Sequence, residues 1–214
     1  MNQNILLNIA AFTPDLLQSP REWMGHLPFA AWIAQDALPK IFVDFGSHYG
    51  YSYFSFCQLV VEADLSTKCY AVDTWCGDEH AGQHNGDIFN DAVVNFSDKS
   101  IELLHIDGLH TYEVVRYVFE TWLPKLAPGA VVKLRDANVR ERGYGVYKFW
   151  EELKARYPNN LEFVHSHSLE VLQPNNAPDG KLLDWQQANS PGKQRLINYY
   201  AALGSQRLEY YELN

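Results

Sequence analysis

A strand that runs straight into a glycine turn and then a helix constrains this chain more than any other feature. Ile41-Phe42-Val43-Asp44-Phe45 is a short apolar run of β-formers, which reads as a parallel strand buried on both faces. Gly46-Ser47-His48-Tyr49-Gly50 turns the chain, and residues 51–63 continue as a helix with Phe54, Leu59 and Val60 on its apolar side. The alternation then repeats. Strands are predicted over 68–73, 101–106 and 130–134, and helices over 87–97, 112–126 and 145–156. Parallel strands joined by crossover helices make an α/β sheet covered on both faces. Two short strands, 161–165 and 169–173, close it as an antiparallel hairpin. The expected fold is Rossmann-like and doubly wound, with a mostly parallel sheet of six strands and one edge strand missing. Residues 1–40 read as a helical leading segment or lid, 41–173 as the ligand-binding domain, and 174–214 as a helical extension with its helix near 193–203.

In open α/β sheets ligands bind beyond the carboxyl ends of the strands, where the strand order reverses. That rule selects four loops: 46–52, 73–80, 107–112 and 135–145. The first brings glycines and a helix amino end, so backbone N–H groups can approach a ligand. It lacks the third glycine of the dinucleotide fingerprint. Asp73 ends the second strand, where a carboxylate can accept hydrogen bonds from both ribose hydroxyls of a nucleoside. Trp75 follows and can stack on an adenine face. This pairing of loop and acid does not by itself separate a nicotinamide cofactor from S-adenosylmethionine. Asp107 ends the third strand three residues before His110, and Asp136 ends the fourth after Arg135. Neighbouring strand ends bring these side chains together. An acid or imidazole there can take a proton from an acceptor hydroxyl. His110 is the better base, kept neutral by the adjacent helix amino end. His105, inside a strand, reads as a core histidine. His165 and His167 fall on one face of the last hairpin, where a metal role has little support.

Composition excludes several classes. The net charge of −9, with no basic run, argues against a nucleic-acid partner. The three cysteines, Cys57, Cys69 and Cys76, form no CxxC pair, so a reducing cytoplasm is expected rather than a disulfide framework. Cys57 reads as core. No stretch reaches the roughly 20 apolar residues of a membrane span.

Four segments carry a resemblance: VDFGSHYGYS, CYAVDTWCGDEHAG, LLHIDGLHTYEVVRYVFETWLPKLAPGAVV and RDANVRERGYGVYKFWEEL. Together they resemble class I S-adenosylmethionine-dependent methyltransferases, and most of all the small bacterial methyltransferase domains of surface-polysaccharide and glycosyltransferase clusters. The likeness covers roughly residues 20–173, and IDGLHTYE is its most specific part. It implies that Asp44, Gly46, Ser47, His48, Gly50 and Ser52 surround the methionine part of the cofactor. Asp73 would hold the ribose, with Thr74 and Trp75 beside the adenine. Asp107 would lie between cofactor and acceptor, and His110 and Asp136 would face the acceptor. The expected cofactor is S-adenosylmethionine. The expected reaction is O-methylation of a small-molecule or glycan hydroxyl, in a homo-oligomer or beside a partner glycosyltransferase.

Three departures from the family pattern stand out. Arg135 replaces the usual histidine before the fourth-strand aspartate. Tyr117-Val118 replaces a His-Asp pair. A strand and helix between the DTWCGDEHAG loop and the LLHIDG strand are missing. Distantly related catechol-type O-methyltransferases place a divalent metal near the positions of Asp107 and Asp136. Here Arg135 either points in and fills the metal's place or points away, and no bound metal is expected. The departures also suit a second hypothesis, a cofactor-binding or scaffold domain with impaired catalysis. A nicotinamide oxidoreductase is the third.

Overall fold

The computed structural model describes residues 12–16, 22–73, 92–141, 143–175 and 191–213. The expected contacts of Thr74 and Trp75, the 74–86 loop and most of the 87–97 helix lie outside these; residues 92–94 are helical.

Six strands form one sheet among the described residues: β1 (Ile41–Phe45), β2 (Lys68–Val72), β3 (Ile101–Ile106), β4 (Leu126–Arg135), β5 (Asn160–Phe163) and β6 (Leu169–Leu172). Their order is β2-β1-β3-β4-β6-β5. Strands β2, β1, β3 and β4 pair in parallel, and β6 joins β4 and β5 antiparallel. This is the six-stranded, mostly parallel sheet with a closing hairpin that the sequence predicts. The chain leaves β1 for β2 on one side and returns to β3 on the other. The strand order therefore reverses at the carboxyl ends of β1 and β3, which is where the ligand rule applies.

Helices α1 (Leu27–Ala37), α2 (Tyr51–Glu62), α3 (Tyr112–Trp122), α4 (Val146–Arg156) and α5 (Pro191–Leu213) cover the two faces. Strand alternation sorts the core. Phe42, Leu103, Val131, Phe163, Leu169 and Val171 face α1, α2 and α5. Val43, Leu104, Val132, Leu134 and Leu172 face α3 and α4. Helix α3 buries Val115, Val118, Phe119 and Trp122 at helical spacing, and Thr111 Oγ1 caps it by accepting from Val114 N at 3.4 Å.

Several boundaries differ from expectation. Helix α3 stops at Trp122, and Leu123–Lys125 is a 3-10 turn around Pro124, because proline donates no helical hydrogen bond. Strand β4 begins at Leu126 instead of 130. Pro128 and Gly129 sit where its register against β3 shifts, so the missing proline donor is tolerated. Helix α5 runs to Leu213, well past 203. Leu196, Ile197, Tyr200, Leu203, Leu208 and Tyr211 pack from it into the core beside the 3-10 turn Glu22–His26 and α1. Gly204 makes that approach possible: a side chain there would strike the Gly25 carbonyl and His165.

Candidate active site

The carboxyl edge of the sheet holds two polar clusters that meet between β1 and β3. The first is built on Asp44, which is fully buried. Ser52 at the start of α2 donates to its Oδ2 at 2.9 Å, and His105 Nδ1 on β3 donates to its Oδ1 at 2.6 Å. Ser47 Oγ donates to the Asp44 carbonyl at 3.4 Å. Both Asp44 carboxylate oxygens are thus engaged inside the protein. The residue shapes the glycine turn from beneath and presents no free carboxylate to a ligand. His105 is a core histidine, as expected, with burial holding its pKa below the usual value.

Gly46 adopts φ +82, and a side chain there would collide with the backbone of Asp107 and Gly108. The expected reason for a glycine here is close approach of a ligand to the backbone. The structure gives that space to the loop after β3, which approaches closely enough for Asp107 N to donate to Phe45 O at 2.8 Å. Asp73 closes the other side: its Oδ2 accepts from the exposed His48 N at 2.8 Å. Gly50, at φ +85, caps α2 without a side chain.

The second cluster joins Asp107, His110 and Asp136, as the sequence predicts. His110 Nε2 reaches Asp136 Oδ2 at 2.8 Å and Asp107 Oδ1 at 3.3 Å. Its ring stacks flat on Tyr144, with centroids 4.7 Å apart. Burial opposes a charge on this imidazole, but the hydrogen bonds and negative charges of both aspartates outweigh it and push the pKa up to about 9. The expectation that the helix amino end keeps His110 neutral is therefore overturned. Two adjacent carboxylates act at contact distance, whereas the helix end contributes a partial charge. In this arrangement Nε2–H donates to the two carboxylates.

Arg135 points into the site. Its Nη1 donates to Asp107 Oδ2 and its Nη2 to Ser166 O, both at 3.3 Å, and Nη2 lies 3.5 Å from Asp136 Oδ1. Although Asp107 is partly desolvated, Arg135 and His110 hold its carboxyl well below the usual range. Asp107, His110 and Asp136 offer donor atoms within 4.8 Å of one another, a spacing that a metal ion can use. Their charges do not fit one. The Arg135 guanidinium already faces both carboxylates, where a dication would stand. Each further unit of like charge at roughly 4 Å costs about 4 kcal/mol at an effective dielectric of 20.

Several residues here escaped the sequence reading. Trp23, from the 3-10 turn before α1, packs beneath the site with its ring 4.9 Å from His105, 5.1 Å from Lys133 Nζ and 5.6 Å from Arg135 Cζ. Lys133 is buried beside β1 and β3, and burial lowers its pKa to about 8. Glu170 on β6 is buried, and its pKa is raised well above the carboxylate range. Only strand alternation next to His105 could have flagged Lys133. His165 and His167 do not share a face. The hairpin strands end earlier than expected, leaving both in the turn. His165 Nε2 donates to Gly25 O at 2.8 Å, while His167 Nδ1 lies 3.8 Å from Asp136 Oδ1.

Comparison with known proteins places this geometry. A family model described as a methyltransferase domain matches residues 43–137, which span both clusters. The chain is 40% identical over 188 residues to the uncharacterized protein y4gI of Sinorhizobium fredii (strain NBRC 101917 / NGR234), covering 78% of this chain and 21% of that protein. The chain thus spans about a fifth of the curated relative it matches. Among solved structures, the SAH-bound methyltransferase PaMTH1 of Podospora anserina aligns with a TM-score of 0.52 at 11% identity, over 80% of this chain and 88% of that one. MycE methyltransferase of the mycinamycin biosynthetic pathway, in complex with Mg, SAH and mycinamycin VI, aligns with a TM-score of 0.51 at 15% identity, over 82% and 56%. These two likenesses establish the fold. The domain match over residues 43–137 agrees with the fold that these two structures share with the chain.

Proposed function

We propose that this chain is an O-methyltransferase domain that transfers the S-adenosylmethionine methyl group to a sugar or glycan hydroxyl. The observation that carries the reading is the meeting of the two clusters at the strand-order reversal, with Gly46 packed against Asp107 and Gly108. A cofactor bound over the glycine turn would lie next to the Asp107–His110–Asp136 group. The cofactor supplies an activated methyl on a sulfonium. The protein's part is alignment of the acceptor oxygen with that methyl. Asp73 and the backbone around Gly46, Ser47, His48 and Gly50 would hold the nucleoside and methionine parts. Asp44 and Ser52 fix that loop from below. Asp107, Asp136 and charged His110 would position the acceptor. The glycan class rests on the resemblance to polysaccharide-cluster methyltransferases, as does a partner glycosyltransferase or homo-oligomer. Residues 1–40 would act as lid, 41–173 as the catalytic domain and 174–214 as its extension, in a cytoplasmic setting.

One observation favours the second reading, a binding domain that does not react. The two carboxylates, Arg135 and His110 neutralise one another, so the acceptor side is satisfied without a substrate. Transfer of labelled methyl from S-adenosylmethionine to a panel of sugars, glycans and phenols separates the two. Incorporation into sugar hydroxyls is expected. Tight cofactor binding with no transfer to any acceptor would favour the binding domain.

A further inference from the structure

Methyl transfer to a hydroxyl must place a proton somewhere, and His110 Nε2 is already committed to two carboxylates. Its Nε2 is shared between Asp107 and Asp136, and its ring lies flat on Tyr144. Asp107 is engaged by Arg135 and His110. Asp136 Oδ1 is buried and accepts no hydrogen bond, although Arg135 Nη2 faces it as an ion pair at 3.5 Å. The nearest imidazole that could serve it is His167, whose Nδ1 stands 3.8 Å away and whose side chain is 57% exposed.

The turn that carries His167 is built with care for its position. Ser166, His167 and Ser168 all take left-handed φ values, of 49, 66 and 86, which non-glycine residues adopt only when their surroundings impose it. Those surroundings are the residues flanking Asp136. Arg135 Nη2 donates to Ser166 O at 3.3 Å, Asn138 N to Ser168 Oγ at 3.1 Å and Asn138 Nδ2 to Val164 O at 2.8 Å. The β5–β6 turn and the end of β4 are therefore held together, which keeps the His167 backbone beside Asp136. A swing of roughly 1 Å would bring Nδ1 into hydrogen-bond range of Oδ1.

We propose that His167, oriented by Asp136, is the group that receives the acceptor's hydroxyl proton. The inference rests on the methyltransferase reading above. Nδ1–H would donate to Asp136 Oδ1, which leaves the Nε2 lone pair on the solvent side, where an acceptor enters. In the transfer the acceptor O–H bond breaks and its proton passes to His167 Nε2. The O–CH3 bond forms, the carbon–sulfur bond breaks, and its electron pair stays on sulfur. The charged and titratable groups around this dyad are Arg135 and Asp136 at the end of β4, Asp107 and His110 before α3, and Glu170 on β6.

Long-range 1H–15N spectra of the 15N-labelled protein, assigned with His167→Gln, test the orientation without any substrate. Neutral His167 is expected to carry its proton on Nδ1, and Asp136→Asn should shift it toward the Nε2–H form. A wild-type Nε2–H tautomer, or one indifferent to Asp136→Asn, overturns the proposal. With an acceptor that the wild type methylates, His167→Gln should lower kcat by about 10²–10⁴-fold and leave S-adenosylmethionine affinity within about twofold. Unchanged kcat also overturns it, as does a wild-type rate that climbs about tenfold per pH unit up to about 9, which would assign the proton to His110. Failure of the wild type to bind S-adenosylmethionine by calorimetry would sink the methyltransferase reading, while the tautomer result would stand by itself.

Discussion

Asp73 and His110 each hold part of the site through contacts within the protein. Asp73 holds His48 N through one carboxylate oxygen. If it also accepts ribose hydroxyls, Asp73→Ala should weaken S-adenosylmethionine binding by about tenfold or more, because charge-assisted hydrogen bonds contribute about 1.5–3 kcal/mol. Calorimetry that finds unchanged affinity would restrict Asp73 to loop capping. His110 is testable through stability. Its folded pKa of about 9 lies above the unlinked value of 6.5, so its network contributes fully below about 6.5 and is lost as pH rises through about 9. The contribution is on the order of 3 kcal/mol. Denaturant unfolding of His110→Gln should therefore show a deficit against wild type at pH 6 that shrinks by pH 10. A deficit that does not change with pH would mean that His110 is not held charged.

At the scale of elements, the 3-10 turn before α1, the β5–β6 turn and α5 form a clamp. His26 Nε2 contacts Ser166 O at 3.1 Å, His165 donates to Gly25 O, and the two rings are 4.7 Å apart. Burial first, and then Arg135 and His165, keep the pKa of His26 well below 6.5. A histidine with a depressed pKa contributes its stability above the unfolded value and loses it as pH falls below about 6.5. For His26 the loss is about 1.4 kcal/mol per pH unit. Hydrogen exchange, corrected for its intrinsic pH dependence, should show residues 22–26 and 191–213 losing protection at pH 5 before β1, β3 and β4 do. Uniform protection would contradict the clamp. None of this was legible in the sequence, because it depends on residues 140 positions apart meeting through turns. Strand β1 was legible because a continuous apolar run and the glycine after it encode it locally, and β2 and β3 because short β-forming runs recur between helical stretches. The positions of Asp107, His110 and Asp136 followed from the strand ends. The charge state of His110, the purpose of Gly46 and the separation of His165 from His167 did not, since each depends on which neighbour a side chain meets across the sheet edge.

For the whole molecule, the two polar clusters lie side by side at the carboxyl edge of the sheet, with Trp23 packed against His105, Lys133 and Arg135. With Arg135 beside both aspartates, methyl transfer should survive chelator and gain nothing from magnesium. Activity lost with chelator and restored by magnesium would mean that Arg135 yields its place to an ion. The central claim is the identity of the cofactor, and it can be measured before any acceptor is known. Isothermal titration of the protein with S-adenosylmethionine, its demethylated product and NAD, each with and without magnesium, tests it directly. Saturable binding of the first two, unaltered by magnesium, and none of NAD is the predicted result. Binding of NAD with no response to S-adenosylmethionine would contradict the account.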